Sequence, residues 1–459
     1  MYVVTLPASA ARNPSAYSVA AMKAGADILE IRGDLTPGLR PFASSIPRML
    51  SPRHGDLERL ETAGAAHLDL DLNEPGFTVG SSQLIISFHD HYECPSREEL
   101  LKIAVRARER GADIVKLAVT PREPAELLML HELQEELQWT GPCAVLAMGP
   151  LARTNRILSP FRNALTYTCL KPEDATAPGQ MTIDEHRRLE GVTEPDLFGV
   201  FGGVDMQSSS PEIHNRLFRL QRRRARYVPI PCSNLEDSFQ AMAALGLQGC
   251  SITAPYKNTI LSLLDDKDDM VVRGQAANTA VLQADGRWKG FQTDTAGIVR
   301  GYPELKGLKN VTVVGSGGVV PAVLMAGEQL GWANTKVCAR NPKALDRLRR
   351  IFQVTCEPIE KLDEGSADAV IWTVPVDRGE LNLPKPTSDQ SLALDLRYGK
   401  KTLFMRLAER AGYRVKDGTT MLMEQALAQN ELFSQRTTTD ADRAELADLA
   451  KQMEAGHGQ

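Results

Sequence analysis

One lysine in the middle of a hydrophobic run has the clearest capacity for chemistry in this chain. Lys116 lies in Gly111-Ala-Asp-Ile-Val-Lys-Leu-Ala-Val119, where a glycine closes a helical pattern and Ile114 to Val119 reads as a buried strand. Lysine is seldom fully buried unless it is paired or working. Taken alone, a strand lysine is more often one that snorkels to solvent. The sharper alternative is a desolvated amine that attacks a carbonyl and forms a Schiff base. Residues elsewhere in the chain bear on that choice.

Positioning such a group requires a rigid frame, and the first half of the chain supplies the pattern of one. Short apolar strands are expected at Val3 to Leu6, Ile28 to Arg32, Pro47 to Ser51, Ala66 to Leu70, Leu84 to Phe88, Ile114 to Val119, Ala144 to Ala147 and Ala164 to Thr168, with amphipathic helical segments between most of them. That alternation predicts a compact (β/α)8 TIM barrel, whose chemistry gathers at the C-terminal ends of the strands. At those ends stand Glu30, Arg32, Arg53 and His89, and Arg156 follows the seventh strand. Each has an ordinary alternative as a loop-facing polar residue. Converging on one mouth, the three arginines predict an anionic substrate, most simply a carboxylate held bidentately.

Thr193-Glu-Pro195-Asp reads as a joint, and the α/β pattern beyond it splits into two lobes. The first opens on a strand, Phe198 to Phe201, followed by Ser208-Ser-Ser210-Pro before a helix. Those serines are ordinary helix caps or, as hydroxyls at a helix N-terminus, holders of a small anion. The second lobe carries the strand Val311 to Val314, then Gly315-Ser316-Gly317-Gly318 and a helical run from Val319 to Leu330. Strand, glycine turn and helix form the context of a dinucleotide-phosphate site, although Val320 stands where the general fingerprint has its third glycine. The next strand ends in Ala339-Arg340-Asn341 instead of an acidic residue. Arg340 suits a 2′-phosphate, so NADP is expected over NAD, the plainer reading being a surface charge.

Bulk composition narrows the classes. A chain of 459 residues with a formal net charge of −5 predicts more than one domain and gives no electrostatic reason to expect nucleic acid. Its seven scattered cysteines form no Cys-x-x-Cys pair, which points to a reducing compartment and no structural zinc. No apolar run approaches a membrane span, and strand-like residues follow Met1 directly. The expectation is a cytoplasmic protein with neither metal nor membrane partner.

The set Glu30-Ile-Arg32, Ile86-Ser-Phe-His89-Asp90, Ala112-Asp-Ile-Val-Lys116, Ala147-Met-Gly149 and Ala177-Pro-Gly-Gln180 resembles type I 3-dehydroquinate dehydratase from about residue 2 to 190. The resemblance implies Lys116 as Schiff-base lysine and His89 as general acid and base. It implies substrate contacts at Glu30, Arg32, Arg53, Arg156, Thr176 and Gln180, with Thr176 where serine is usual. His91 carries no motif position, and His54-Gly-Asp-Leu-Glu departs from the usual Glu-Gly-Gly. The loop Leu170 to Gln180 is expected to fold over the mouth.

Residues 198 to about 432 resemble shikimate dehydrogenase through Ser208 and Ser210, Ser251-Ile-Thr253…Lys257, Asn278, Thr293-Asp294, Asp395-Leu-Arg-Tyr398 and Gly418-Thr-Thr-Met421…Gln425-Ala426. That resemblance implies Lys257 and Asp294 as catalytic pair. Ser208, Ser210, Thr253, Asn278, Tyr398 and Gln425 would hold the substrate. Gly315, Ser316, Gly317, Gly318, Arg340, Asn341 and Gly418 would hold NADPH. Gln292, Pro321 and Trp372-Thr-Val-Pro375 depart from the usual pattern, and the polar tail from Thr437 to Gln459 matches nothing.

The expected division is a barrel over 1–194 and a dehydrogenase over 195–459. Within the second part, a substrate lobe of about 195–300, completed by C-terminal helices, precedes a Rossmann lobe of about 301–420. The joint reading is dehydration of 3-dehydroquinate followed by NADPH-dependent reduction of 3-dehydroshikimate to shikimate. Its alternatives are a second half that uses quinate with NAD, and a metabolite-binding regulator without turnover.

Overall fold

The computed structural model describes residues 1–53, 64–74, 81–158, 162–189, 195–375, 382–399 and 401–456. Eight parallel strands build the first sheet: β1 (Tyr2–Thr5), β2 (Ile28–Arg32), β3 (Arg48–Ser51), β4 (His67–Asp71), β5 (Gln83–His89), β6 (Ile114–Val119), β7 (Cys143–Ala147) and β8 (Thr166–Thr168). They lie in the order β7-β6-β5-β4-β3-β2-β1-β8, so β1 pairs with both β2 and β8 and the sheet wraps into the expected barrel. Such strands are covered on both faces, which is why they read as hydrophobic runs without alternation; all six residues of β6 are buried, Lys116 among them.

Between β7 and the short β8 a side chain stands in for ladder bonds. Asn163 accepts from Val145 N at 2.8 Å and donates to Val145 O at 3.3 Å, beside an Ala164 N to Cys143 O bond of 2.8 Å.

Regular crossover helices accompany only part of the barrel. Arg97–Glu109 follows β5, started by a reciprocal Ser96–Glu99 capping box, and buries Leu100, Ala104 and Ala107 along one face. Pro124–Thr140 follows β6. From β2 to β3 the expected helix is missing among the described residues, and Pro37, Pro41 and Pro47 interrupt the segment. Leu39 and Phe42 cover the core there instead.

The chain forms two compact units, one of Met1–Pro195 with Val228–Gly246 and one of Asp196–Tyr227 with Leu247–Gln459. The proposed joint falls mostly outside the described residues. In the second unit the strands Asp196–Gly202, Leu247–Ile252, Thr279–Leu282, Trp288–Phe291 and Asp266–Lys267 lie side by side in that order, with antiparallel pairing about Thr279–Leu282. A separate all-parallel sheet runs Thr355–Pro358, Asn334–Ala339, Asn310–Val314, Ala369–Trp372, Leu392–Asp395, Arg414–Lys416. Its strand order reverses direction on either side of Asn310–Val314, the geometry that opens a ligand crevice at the strand ends.

The unassigned tail acquires a structural role. Helix Asp440–Gly456 buries Leu446 and Leu449 against Ile213, Leu217, Met423 and Leu427.

Candidate active sites

In the barrel, all eight residues expected at the mouth line one cavity of about 440 Å3: Glu30, Arg32, Arg53, His89, Lys116, Arg156, Thr176 and Gln180. Side chains alternate along a strand, so Lys116 enters the cavity while its neighbours Val115 and Leu117 pack in the layer outside. Its amine stands 2.8 Å from Asp69 Oδ2 and 4.0 Å above the centre of the Tyr167 ring. Burial pulls the Lys116 pKa down from the ordinary amine value, and the Asp69 carboxylate opposes that shift.

His89 is held down to about 4, chiefly by burial, with the positive charges of Lys116 and Arg53 adding to the effect and Asp71 opposing it. It is therefore neutral near pH 7 and free to accept a proton. Arg53 lies across it, with Nη1 3.1 Å from Nδ1 and Nη2 3.2 Å from Nε2, and binds Asp69 at 3.0 Å.

The three arginines are not equivalent. Arg32 pairs with Asp34 at 2.6 Å and Arg53 with Asp69. Arg156 is buried, donates to Tyr167 O at 3.1 Å and has its Nε without a hydrogen-bond partner. Burial lowers its pKa to about 10. A buried guanidinium with bonding capacity left over is a prepared anion site.

The rest of the rim is braced from below. Glu30 accepts from Thr5 Oγ1 at 2.6 Å and Ser51 Oγ at 2.8 Å. Gln180 accepts from Thr176 N at 2.7 Å and donates to Thr168 O at 3.1 Å. That loop lines the cavity through Thr176, Ala177, Pro178 and Gln180.

Sequence reasoning missed Asp69, Asp71, Asp34 and Tyr167. The first two had a signal: His67-Leu-Asp-Leu-Asp71 puts acidic side chains two apart on one face of a barrel strand. His91, which carries no motif position, lines the cavity and stacks on His89 with ring centres 6.2 Å apart. The divergent His54-Gly-Asp-Leu-Glu segment lies outside the described residues.

In the second unit a cavity of about 330 Å3 gathers Ser208, Ser210, Thr253, Lys257, Asn278, Asp294, Tyr398, Gly418 and Gln425. Lys257 Nζ is 2.5 Å from Asp294 Oδ2, and Asn278 Nδ2 donates to Asp294 Oδ1 at 2.8 Å. Ser251, Arg397 and Gln429 line it too and were not singled out for this role.

A neighbouring cavity of about 180 Å3 is bounded by Gly315, Ser316, Gly317, Arg340 and Asn341. Gly315 is required as glycine: its φ is +123°, and a Cβ there would stand 2.2 Å from Thr373 Oγ1. Pro321, a departure by sequence, falls in the first turn of helix Val320–Leu330, where no backbone N–H is needed. Asn341 caps helix Pro342–Ile351, accepting from Ala344 N at 3.3 Å.

Two expected cofactor residues lie apart from this cradle. Gly318 faces Lys257, and Gly418 packs so closely on Leu396 that a Cβ would meet its carbonyl oxygen at 2.2 Å. Among the described residues, no His/Cys/Asp/Glu group could hold a metal ion, and no helix is long and apolar enough to cross a membrane.

Comparison with known proteins gives matches to two families. Residues 57–192 match the family model of type I 3-dehydroquinase, and residues 200–280 that of the shikimate dehydrogenase substrate binding domain. Glu30, Arg32 and Arg53 precede the first match, so it is the cavity that joins them to it. The chain is 26% identical over 476 residues to the chloroplastic bifunctional 3-dehydroquinate dehydratase/shikimate dehydrogenase of Arabidopsis thaliana, across 89% of this chain and 78% of that one. It is 29% identical over 268 residues to the shikimate dehydrogenase (NADP(+)) of Microcystis aeruginosa, across 53% of this chain and 93% of that one.

The crystal structure of shikimate dehydrogenase from Aquifex aeolicus aligns with a TM-score of 0.50 and 24% identity, over 56% of this chain and 98% of that one, a likeness of fold. A type I 3-dehydroquinase match in the barrel and a shikimate dehydrogenase match beyond it make the chain similar to the bifunctional 3-dehydroquinate dehydratase/shikimate dehydrogenase of Arabidopsis thaliana in both of its parts.

Proposed function

We propose that the barrel dehydrates 3-dehydroquinate through a Schiff base on Lys116 and that the second part reduces the resulting 3-dehydroshikimate to shikimate with NADPH. The observation that carries the first step is the buried Lys116 amine beneath a neutral His89 in a cavity edged by Arg32, Arg53 and Arg156. Neutral Lys116 adds to the ketone and water leaves, giving an iminium that draws electrons from the adjacent carbon. His89 takes the proton from that carbon and returns it to the departing hydroxyl, which leaves as water. Hydrolysis of the iminium frees product and lysine. Acid–base assistance of this kind contributes about 10²- to 10⁴-fold. Arg156, with its spare N–H, holds the carboxylate.

For the second step, NADP fits the cradle formed by Gly315 to Gly317 at a helix N-terminus, with exposed Arg340 beside it for a 2′-phosphate. When bound, its reduced form supplies hydride to the ketone carbon. Lys257, held by Asp294, gives a proton to the ketone oxygen, and the lysine recovers one from solvent. Ser208, Ser210, Thr253, Asn278, Tyr398 and Gln425 orient the hydroxyls and carboxylate.

The working division remains a dehydratase over 1–194 and a dehydrogenase over 195–459. Seven free thiols support a reducing, cytoplasmic setting.

Borohydride reduction in the presence of 3-dehydroquinate, followed by peptide mass mapping, tests the barrel. An adduct on Lys116 is expected; no adduct, or one elsewhere, overturns the mechanism. Initial rates with shikimate and quinate, each with NADP and NAD, test the second site. A preference for quinate with NAD overturns that half alone.

A further inference from the structure

Behind the reductase cavity lies a run of buried polar groups whose hydrogens can be assigned one after another. The backbone N–H of Thr293 donates to Asn278 Oδ1 at 2.8 Å, which identifies that atom as oxygen and turns the amide nitrogen toward Asp294 Oδ1. Thr279 Oγ1, 3.0 Å from the same oxygen, must then donate to it. A hydroxyl that has spent its hydrogen can only accept, so Gln429 presents Nε2 to Thr279 Oγ1 at 3.0 Å. Gln429 Oε1 in turn accepts from Ser251 Oγ at 2.9 Å and His214 Nε2 at 3.2 Å. Ser251, having donated, accepts from Tyr227 OH at 2.5 Å.

Every bond in the run therefore points one way. His214 carries its hydrogen on Nε2, and its buried Nδ1 is left without a partner. Burial holds His214 neutral, with its pKa down to about 4. The imidazole is clamped face to face on Tyr227, ring centres 4.4 Å apart.

We infer that Thr279 and Gln429 are positioning residues of the reductase: a one-directional chain, fed by Tyr227, Ser251 and His214, holds the Asn278 amide with its NH2 turned to Asp294. Thr279 is fully buried and does not line the cavity, so it acts through Asn278 and never on substrate. Without the Thr279 hydroxyl, Asn278 Oδ1 keeps only the backbone N–H and hydroxyl of Thr293 as donors, and the amide facing Asp294 is held less firmly.

This inference rests on the reductase reading, and its test separates the two. The ionisable group touching Gln429 is His214; Tyr227 reaches it through Ser251 with Cys250 beside the tyrosine, and Lys257 faces Asp294. Thr279→Val keeps the shape and removes the hydroxyl; Thr279→Ser keeps the hydroxyl. Shikimate oxidation with NADP is followed across pH in full-length protein, with dehydration of 3-dehydroquinate by the same chain as folding control.

Thr279→Val is expected to lower kcat about tenfold to a hundredfold, as misplacement of a reacting group does. Thr279→Ser is expected to restore it. An unchanged kcat in Thr279→Val, or equal loss in Val and Ser variants, overturns the inference. If Thr279→Val does not fold, Gln429→Glu decides: only its protonated form can donate to Thr279, so its rate should fall with rising pH relative to the parent, and a parallel profile overturns the chain. Absence of shikimate oxidation in the parent protein instead overturns the reductase reading itself.

Discussion

Two lysine–aspartate pairs line the two cavities, similar in distance and opposite in the use proposed for them. Lys116 meets Asp69 at 2.8 Å with side chains 6% and 0% exposed; Lys257 meets Asp294 at 2.5 Å with side chains 18% and 7% exposed. What separates them is the company each aspartate keeps. Asp69 also binds the Arg53 guanidinium at 3.0 Å, so its charge is divided between two cations. Asp294 receives an uncharged amide from Asn278 and keeps its full charge for Lys257. Burial and a shared counter-ion favour releasing a proton from Lys116; Lys257 has more solvent access and a counter-ion shared with no other cation. An ion pair seen in a structure does not by itself reveal whether the amine is a nucleophile or an acid.

That comparison can be broken most directly by removing each lysine in turn. Lys116→Ala should abolish dehydration and borohydride trapping while leaving reduction of supplied 3-dehydroshikimate intact. Parallel loss of both activities would mean the two cavities do not carry separate reactions.

Lys257→Ala should slow reduction by about 10²- to 10⁴-fold, with the Lys116 adduct forming as before; an adduct mapped to Lys257 in the parent would erase the distinction drawn here. Asp69→Asn should cost about 3–5 kcal/mol in denaturant-induced unfolding, because Lys116 and Arg53 would be left as buried charges. It should also extend trapping to lower pH, since the carboxylate that raises the Lys116 pKa is gone. Trapping that instead requires higher pH would reverse the assigned direction.

The acid response gives a smaller effect. Folded His89 and His214 are both lowered from 6.5 to about 4. Between those values the unfolded chain binds protons that the folded chain refuses, so stability should fall as pH drops through that window. His89→Gln and His214→Gln should each flatten the fall; a slope insensitive to both would remove their contribution.

Smallest should be Tyr167→Phe, which keeps the ring 4.0 Å below Lys116 and removes a hydroxyl directed at Met49 Sδ, 3.6 Å away. A change of about 1 kcal/mol or less in dehydration is expected for one such weak bond. A collapse of the rate would bring the hydroxyl into the chemistry.

Much of the frame was legible because it is local. The spans Ile28–Arg32 and Ile114–Val119 emerge as read, since strands covered on both faces carry a continuous apolar signature. The link from β2 to β3 was less so: apolar residues there cover the barrel without a helix, and three prolines interrupt the segment. Asp69 and Asp71 were present in an alternating pattern, but on a strand otherwise accounted for by its leucines. Gln429 sits inside a helix whose buried face gave no reason to separate it from packing residues.

By itself, the sequence determined which elements form and which residue types could react, because strand periodicity, glycine turns and helix caps are set by near neighbours. Tertiary structure alone decided which charge answers which. Lys116 meets Asp69 across 47 residues, Lys257 meets Asp294 across 37, and Gln429 reaches Thr279 across 150. Buried electrostatics depends on distance in space and on the exclusion of water, and neither is written in the order of the chain.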